Sequence, residues 1–261
     1  MWHTHTHLND QRYKELNYST REIIRDANKV GVELMCNVGF DIESSKLAIQ
    51  QSYNYKNIYA AVGIHPNDVE KFDFVSDLET ISDLAMNEKV VAIGEVGIDY
   101  FYSRENRELQ IKWFKAQIKI AQANKLPVMM HLRDEVGKYE AYEDALSILK
   151  EMKVKKAIVH CFTVNLDYAK KFVNAGYLLS IPGVVTFKSA KDLQEAVKWI
   201  PLKNLLVETD APYLTPEPNR GKINQPKYIV DTVIKIAALK KLSVEEIVSA
   251  TRLNAQAIFN V

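Results

Sequence analysis

Short apolar runs alternate with amphipathic stretches from one end of the chain to the other, and this alternation restricts the fold more than any other feature. The candidate strands are WHTHTHL, VELMCNV, IYAAVGIH, VVAIGEVG, PVMMHL, KAIVHCF, GYLLSI and NLLVETD. Most read as strands buried on both faces, the pattern of a parallel sheet covered by helices. Helical periodicity fills the gaps. TREIIRDANKVG opens on a capping residue, Thr20, and closes at Gly31. RELQIKWFKAQIKIAQANK spaces Leu109, Trp113, Phe114, Gln117 and Ile118 along one helix face. YEDALSILKEM, LDYAKKFVNAG and SAKDLQEAVKWI follow the same rule, and two helices near 228–239 and 244–259 end the chain.

Eight strands alternating with helices predict an α/β fold with a parallel sheet. At 261 residues, closure into a TIM-type (β/α)8 barrel is the economical solution. An open doubly wound sheet is the alternative, but VGIHPND and AIGEVGID lack the spacing of a glycine-rich phosphate loop. Neither a linker-like composition nor a repeat divides the sequence, so a single domain over 1–261 is expected.

The net charge of +1 lacks the basic bias of a protein that coats duplex DNA, although a local basic groove is compatible with it. Cys36 and Cys161 are too few and too far apart for a disulfide framework, which favours a reducing, cytoplasmic setting. The first residues lack the pattern of a signal peptide, and no stretch has the roughly 20 apolar residues of a membrane span.

Half of the six histidines crowd into the first seven residues, as His3, His5 and His7. Side chains alternate along a strand, so all three point to one side, which in a barrel is the interior. The other three fall at the ends of later strands: His65 in GIHPND, His131 in VMMHLR and His160 in IVHCF. Glu95 in AIGEVGID and Asp210 in VETDAPYL join them. Barrels of this type carry their sites at the C-terminal mouth. Carboxylates gathered there repel one another unless a dication neutralises them, and neutral imidazoles share its coordination. Taken singly, each residue has an ordinary structural explanation: His65 as a strand cap, His131 as a satisfied core group, Glu208 and Asp210 as caps of the last strand. Their joint occurrence at successive strand ends is what points to a metal centre. His3 lies deeper and is expected behind the ligands rather than among them.

With these residues in hand, the chain resembles the TatD family of metal-dependent deoxyribonucleases, within the amidohydrolase-like hydrolases. The matching stretches are THTHLN (4–9), VGIHP (62–66), AIGEVGIDY (92–100), Gln110 with Phe114 and Gln117, PVMMHLR (127–133), HCFT (160–163), VETDAPYLTPEPNRGKINQP (207–226), and the Thr251, Asn254 and Phe259 pattern. The resemblance implies two divalent metal ions, Mg, Mn or Zn. His5, His7, Glu95 and Asp210 hold one, and Glu95, His131 and His160 hold the other, with Glu95 shared. It makes Asp210 and Glu95 the catalytic candidates, and His65 and Arg133 the substrate-binding ones. The chain departs from the family in two places: His3 stands where an acid usually precedes Thr-His-x-His, and Asn9, followed by Asp10, stands where an Asp usually follows His-Leu.

The expected activity is hydrolysis of a phosphodiester by metal-activated water, with the end of a single DNA strand as substrate and neither a membrane nor an obligate protein partner. The rings of Tyr100, Phe101 and Tyr102 in YFYSREN could stack a base or simply pack the loop. Arg220, Lys222 and Asn224 in PNRGKINQP could track a nucleic-acid backbone or form a proline-pinned loop. Deacylation of D-aminoacyl-tRNA, another metal-assisted hydrolysis, and a metal-bound scaffold without activity are the alternatives.

Overall fold

The computed structural model describes residues 1–102 and 104–261; Ser103 of the YFYSREN stretch lies outside the described residues. The elements follow in the order β1 (Trp2–Thr6), α1 (Gln11–Glu15), α2 (Thr20–Lys29), β2 (Leu34–Val38), α3 (Ile42–Asn54), β3 (Ile58–Val62), α4 (Ser76–Ala85), β4 (Val90–Asp99) and α5 (Arg107–Ala123). They continue as β5 (Val128–Arg133), α6 (Glu140–Glu151), β6 (Ala157–Val159), α7 (Leu166–Asn174), β7 (Leu178–Ile181), α8 (Lys191–Trp199), β8 (Leu205–Val207), α9 (Ile229–Lys240) and α10 (Val244–Phe259). The eight strands form one sheet in chain order, with parallel pairing and a helix between successive strands, the (β/α)8 arrangement the sequence predicts.

The chain falls into two compact units, one made of residues 1–37 and 160–261, the other of residues 38–159. In the first, β1 pairs with β2 in the register Trp2↔Leu34 and His3↔Met35, and β7 pairs with β8 from Leu179↔Leu205 to Ile181↔Val207. The two ends of the strand order meet here. His7 N–H donates to Ala211 O at 2.8 Å, and Asp210 N–H donates to His5 O at 3.2 Å. The last helix is bound to this seam. Trp2 stacks on Phe259 with centroids 4.8 Å apart, and Asn254 Nδ2 donates to Leu202 O (2.6 Å) and Leu205 O (2.8 Å). Those bonds satisfy backbone carbonyls at the entrance to β8 and explain why Asn254 stands beside an apolar helix face.

In the second unit, β4 is ten residues long and fully buried. Its pairing with β5 slips between Ile93↔Val128 and Val96↔Met130, so an extra residue of β4 is accommodated at Gly94 and Glu95. Beyond it the register runs Gly97↔His131, Ile98↔Leu132 and Asp99↔Arg133. Gly97 has φ +140°, and a Cβ there would lie 2.1 Å from His131 O. No other residue type fits so close an approach, which accounts for the second glycine of GEVG.

Local boundaries differ from expectation in ways that have physical causes. Ser19, not Thr20, caps α2, accepting Glu22 N–H on its side chain, and Thr20 is the first helical residue. The strands β6 and β8 are only three residues long, so His160 and Asp210 lie on the turns beyond them. The sequence did not single out α3, because its buried face is built partly from Ser44, Ser45 and Ser52 and carries a weak apolar stripe. Ser45 is needed there: it packs against Gly39, and its hydroxyl bonds Gly63 N–H at 3.3 Å.

Two glutamines on the buried face of α5 hold the strand ends that follow β3 and close β4. Gln117 Oε1 accepts Ile64 N–H (2.8 Å) while its Nε2 donates to Ile64 O (3.1 Å). Gln110 does the same for Asp99, at 2.8 and 3.0 Å. Seven residues apart, they lie on one helix face, and each replaces the missing partners of a backbone unit leaving the sheet. Gln117→Leu should destabilise the protein by about 2–5 kcal/mol, because it leaves a buried N–H and a buried carbonyl unpaired. Chemical denaturation measures this, and a change within about 0.5 kcal/mol would show that the clamp contributes nothing.

His3 sits on β1, fully buried, with Nε2 2.7 Å from Thr209 Oγ1. Burial first, then the neighbouring His5, push its pKa from 6.5 down to about 3. Between those values the unfolded chain holds a proton that the folded chain refuses. Stability tied to His3 is therefore complete above pH 6.5 and is lost as pH falls toward 3. Relative to His3→Asn, the wild type should lose about 1.4 kcal/mol per pH unit below that point, measured by urea unfolding with metal chelated. Equal pH slopes for the two proteins would overturn this.

Candidate metal centre

In the first unit, β1 and the turn after β8 bring together His5, His7 and Asp210. The Nε2 atoms of His5 and His7 are 3.1 Å apart, and Asp210 Oδ1 lies 3.5 Å from the first and 3.3 Å from the second. The i, i+2 spacing puts both rings on one strand face. Asp210 reaches them because it adopts φ +56°, a left-handed turn conformation that Asp tolerates better than most residues. Burial works to raise the Asp210 pKa, but the hydrogen bond with His7 and the charge of His5, His160 and His7 outweigh it and hold the carboxyl below its ordinary range.

His160, on the turn after β6, stacks on His5 with centroids 3.9 Å apart and planes within 9°. Its Nδ1 is 3.5 Å from Glu208 Oε1, which also accepts Cys161 N–H at 2.6 Å. Donor atoms of His5, His160 and Glu208 all lie within 4.8 Å of one another. Glu208 is fully buried, and its Oε2 has no hydrogen-bond partner among the described residues. A buried carboxylate oxygen without a donor is costly unless a proton or cation meets it.

The second unit carries a group of His65, Glu95 and His131. His131 Nδ1 lies 2.9 Å from Glu95 Oε1, and His65 Nε2 lies 3.5 Å from the same oxygen. His131 Nε2 faces Asp99 Oδ2 at 3.0 Å. His65 Nδ1 accepts Asn67 N–H at 3.2 Å. A neutral His65 ring therefore carries its proton on Nε2 and presents a donor, not a lone pair, to the site. Burial, aided by His131, keeps its pKa below the usual imidazole value. His131 is the opposite case: burial lowers its pKa, but bonds to Asp99 and Glu95 raise it on balance.

These donor sets suit divalent cations. Two buried imidazole nitrogens and a carboxylate oxygen converge here; protonated, the rings pair by hydrogen bonds, and with both Nε2 atoms deprotonated the three form a donor set for a cation. Nitrogen and carboxylate oxygen together are the ligand types of zinc and manganese sites.

Other residues take places the sequence left open. Arg133 ends β5 with its guanidinium 4.1 Å from the Phe101 ring centroid and 4.7 Å from that of Tyr102. Asn224 is fully buried: it donates to Thr209 O at 2.9 Å and to Tyr213 O, and its own carbonyl accepts Tyr13 O–H at 2.7 Å. It ties the RGKINQP loop to the end of β8 and is closed to a nucleic acid. Arg220, on the same loop, lies over Phe187 at 4.4 Å, and Lys222 Nζ donates to Asn219 Oδ1 at 3.0 Å. Asp99 and Asn67 carry no role in the sequence pattern, and Glu208 reads there only as a strand cap. The usable signal for Asp99 is a carboxylate at the end of an apolar strand; Asn67 and Glu208 stand beside other polar residues and carry none.

The family model described as TatD related DNase matches residues 3–260. The metal-dependent hydrolase YabD of Bacillus subtilis is 40% identical, with 100% of this chain and 99% of that protein covered. The metal-dependent hydrolase MG009 of Mycoplasma genitalium is 41% identical, with 89% and 90% covered. Among solved structures, the TatD homologue YJJV of Escherichia coli K12 superposes with a TM-score of 0.91 at 27% identity, covering 100% of this chain and 98% of that one. No helix among the described residues is long and apolar enough to cross a membrane. Fold, donor clusters and likeness agree: this chain belongs to the TatD-related DNase family and is a metal-dependent hydrolase on a TIM-type barrel.

Proposed function

We propose that the protein hydrolyses phosphodiester bonds at the end of a DNA strand with two divalent ions. The observation that carries this reading is the N, N, O donor set at His5, His7 and Asp210; a neutral imidazole, His65, that presents a proton beside Glu95 supports it. His5, His7 and Asp210 would hold one ion, and Glu95 and His131 another, with His160 as a further nitrogen donor. When bound, such ions would supply Lewis acidity and a water of lowered pKa, the chemistry by which such sites cleave phosphate esters. Asp210 accepts the proton of the attacking water. His65 donates from Nε2 to a non-bridging phosphate oxygen, a role that suits a ring whose Nδ1 is already committed to Asn67. Arg133 is the second candidate for the phosphate.

Chelation should abolish nucleotide release from a single-stranded oligonucleotide, and returning Mn2+, Mg2+ or Zn2+ should restore it. Asp210→Asn should lower kcat by about 10²–10⁴-fold while the melting temperature shifts little. Wild-type turnover in that variant at saturating metal would refute the assignment. Deacylation of a charged tRNA, assayed in parallel, exceeding nucleotide release would replace the phosphodiester by an ester as the bond cleaved. His65→Leu should reduce kcat/KM by roughly 10- to 100-fold, the value of a hydrogen bond to a charged group, without reducing the number of ions bound. Loss of an ion in that variant would make His65 a ligand instead.

A further inference from the structure

Asp99 has no place in the chemistry above, yet it is one of the most fully committed carboxylates in the protein. It is completely buried at the end of β4. Its Oδ1 accepts Phe101 N–H (2.9 Å) and Tyr102 N–H (3.1 Å). Its Oδ2 accepts from Asn67 Nδ2 (3.0 Å) and faces His131 Nε2 (3.0 Å). Gln110 clamps its main chain from both sides. Three N–H groups already donate to its two oxygens, which holds the carboxyl in its ionised, acceptor-only form. The His131 nitrogen opposite it must be N–H.

That requirement decides the other nitrogen. In the structure both ring nitrogens face carboxylate oxygens; a neutral imidazole carries one proton, and if Nε2 keeps it for Asp99, Nδ1, 2.9 Å from Glu95 Oε1, is the nitrogen that can offer a lone pair to a cation. We propose that Asp99 is a positioning residue that fixes the tautomer and orientation of His131 and thereby presents Nδ1 beside Glu95 as a ligand for a divalent cation. The inference rests on His131 being a metal ligand. Carboxylates behind ligating histidines act in this way in metal sites generally, and their loss weakens metal binding by about 10- to 100-fold.

The nearly isosteric change Asp99→Asn tests it sharply. The two backbone N–H donors at Phe101 and Tyr102 fix the oxygen of the new amide on their side. Its NH2 then faces His131 Nε2. The ring must accept there, carry its proton on Nδ1, and lose its lone pair toward the cation.

Zn2+ titration of the full chain by calorimetry should be run on wild type, Asp99→Asn, His131→Ala and the double variant. His131→Ala identifies the ion that depends on His131. Asp99→Asn should weaken that ion about 10- to 100-fold. Added to His131→Ala, it should change the remaining affinity less than twofold. A purely structural role in the turn at Phe101 and Tyr102 would instead cost the same in both backgrounds, and that result overturns the proposal. Unchanged affinity in Asp99→Asn, with an ion lost in His131→Ala, also overturns it. If His131→Ala binds as many ions as wild type, the ligand reading of His131 fails and this proposal fails with it. Should Asp99→Asn not fold, 15N spectra of histidine-labelled, zinc-loaded wild type decide: His131 must show an Nε2–H and a metal-bound Nδ1, and the reverse tautomer excludes the role.

Discussion

A neutral imidazole has two nitrogens and one proton, and the arrangement of the site follows from where that proton is placed. Each ring is given a different answer by its neighbours. His65 is bonded at Nδ1 by a backbone N–H and so turns a donor inward. His131 is bonded at Nε2 by Asp99 and so turns an acceptor inward. His5 and His7 bring Nε2 to within 3.1 Å of each other, which is tolerable only with a proton or cation shared among them and Asp210. Chemically identical side chains thus present either a donor or an acceptor according to the one partner each is given.

Such choices need a backbone that does not move. The long strand β4 supplies Glu95 and Asp99 four residues apart, with the register slip after Ile93 between the two straight segments. Gly97 lets β4 lie against His131 O, and the amides of Gln110 and Gln117 close the hydrogen bonds of Asp99 and Ile64. Ile64 immediately precedes His65, so the clamp from α5 sets where that ring begins. Helix packing, strand register and tautomer are in this way one chain of cause, running from a buried glutamine to the nitrogen that faces the site.

The barrel class was legible because eight buried strands recur with helical periods in most of the gaps between them, and that pattern depends on burial alone. The grouping of His5 with His7 was legible for the same reason, since two positions apart on a strand is one face. The partners that orient the rings were not. Asp99 and Glu208 look like ends of strands, and nothing local says which histidine each faces. The basic, proline-rich loop leaves two readings open for Asn224, a backbone contact or a structural tie, and its bonds to Thr209 and Tyr213 select the second. The helix α3 escaped notice because close packing against Gly39 and Gly63 selected serines in place of large apolar residues.

The two departures from the family pattern also resolve into local chemistry. His3, in place of an acid, is kept neutral by burial and bonds Thr209, so the interior behind His5 carries a dipole where a charge would otherwise stand. With Asn9 in place of the usual Asp, Asp10 still provides a carboxylate: it caps α1 through Arg12 N–H at 2.8 Å and accepts the Tyr213 hydroxyl at 2.6 Å. Tyr213 packs edge-on to His7, with centroids 6.0 Å apart, and follows the Asp210 turn. The carboxylate next to the histidine strand therefore supports the ring beside His7. Beside both residues, the donor atoms of His5, His7 and Asp210 remain within 3.5 Å of one another.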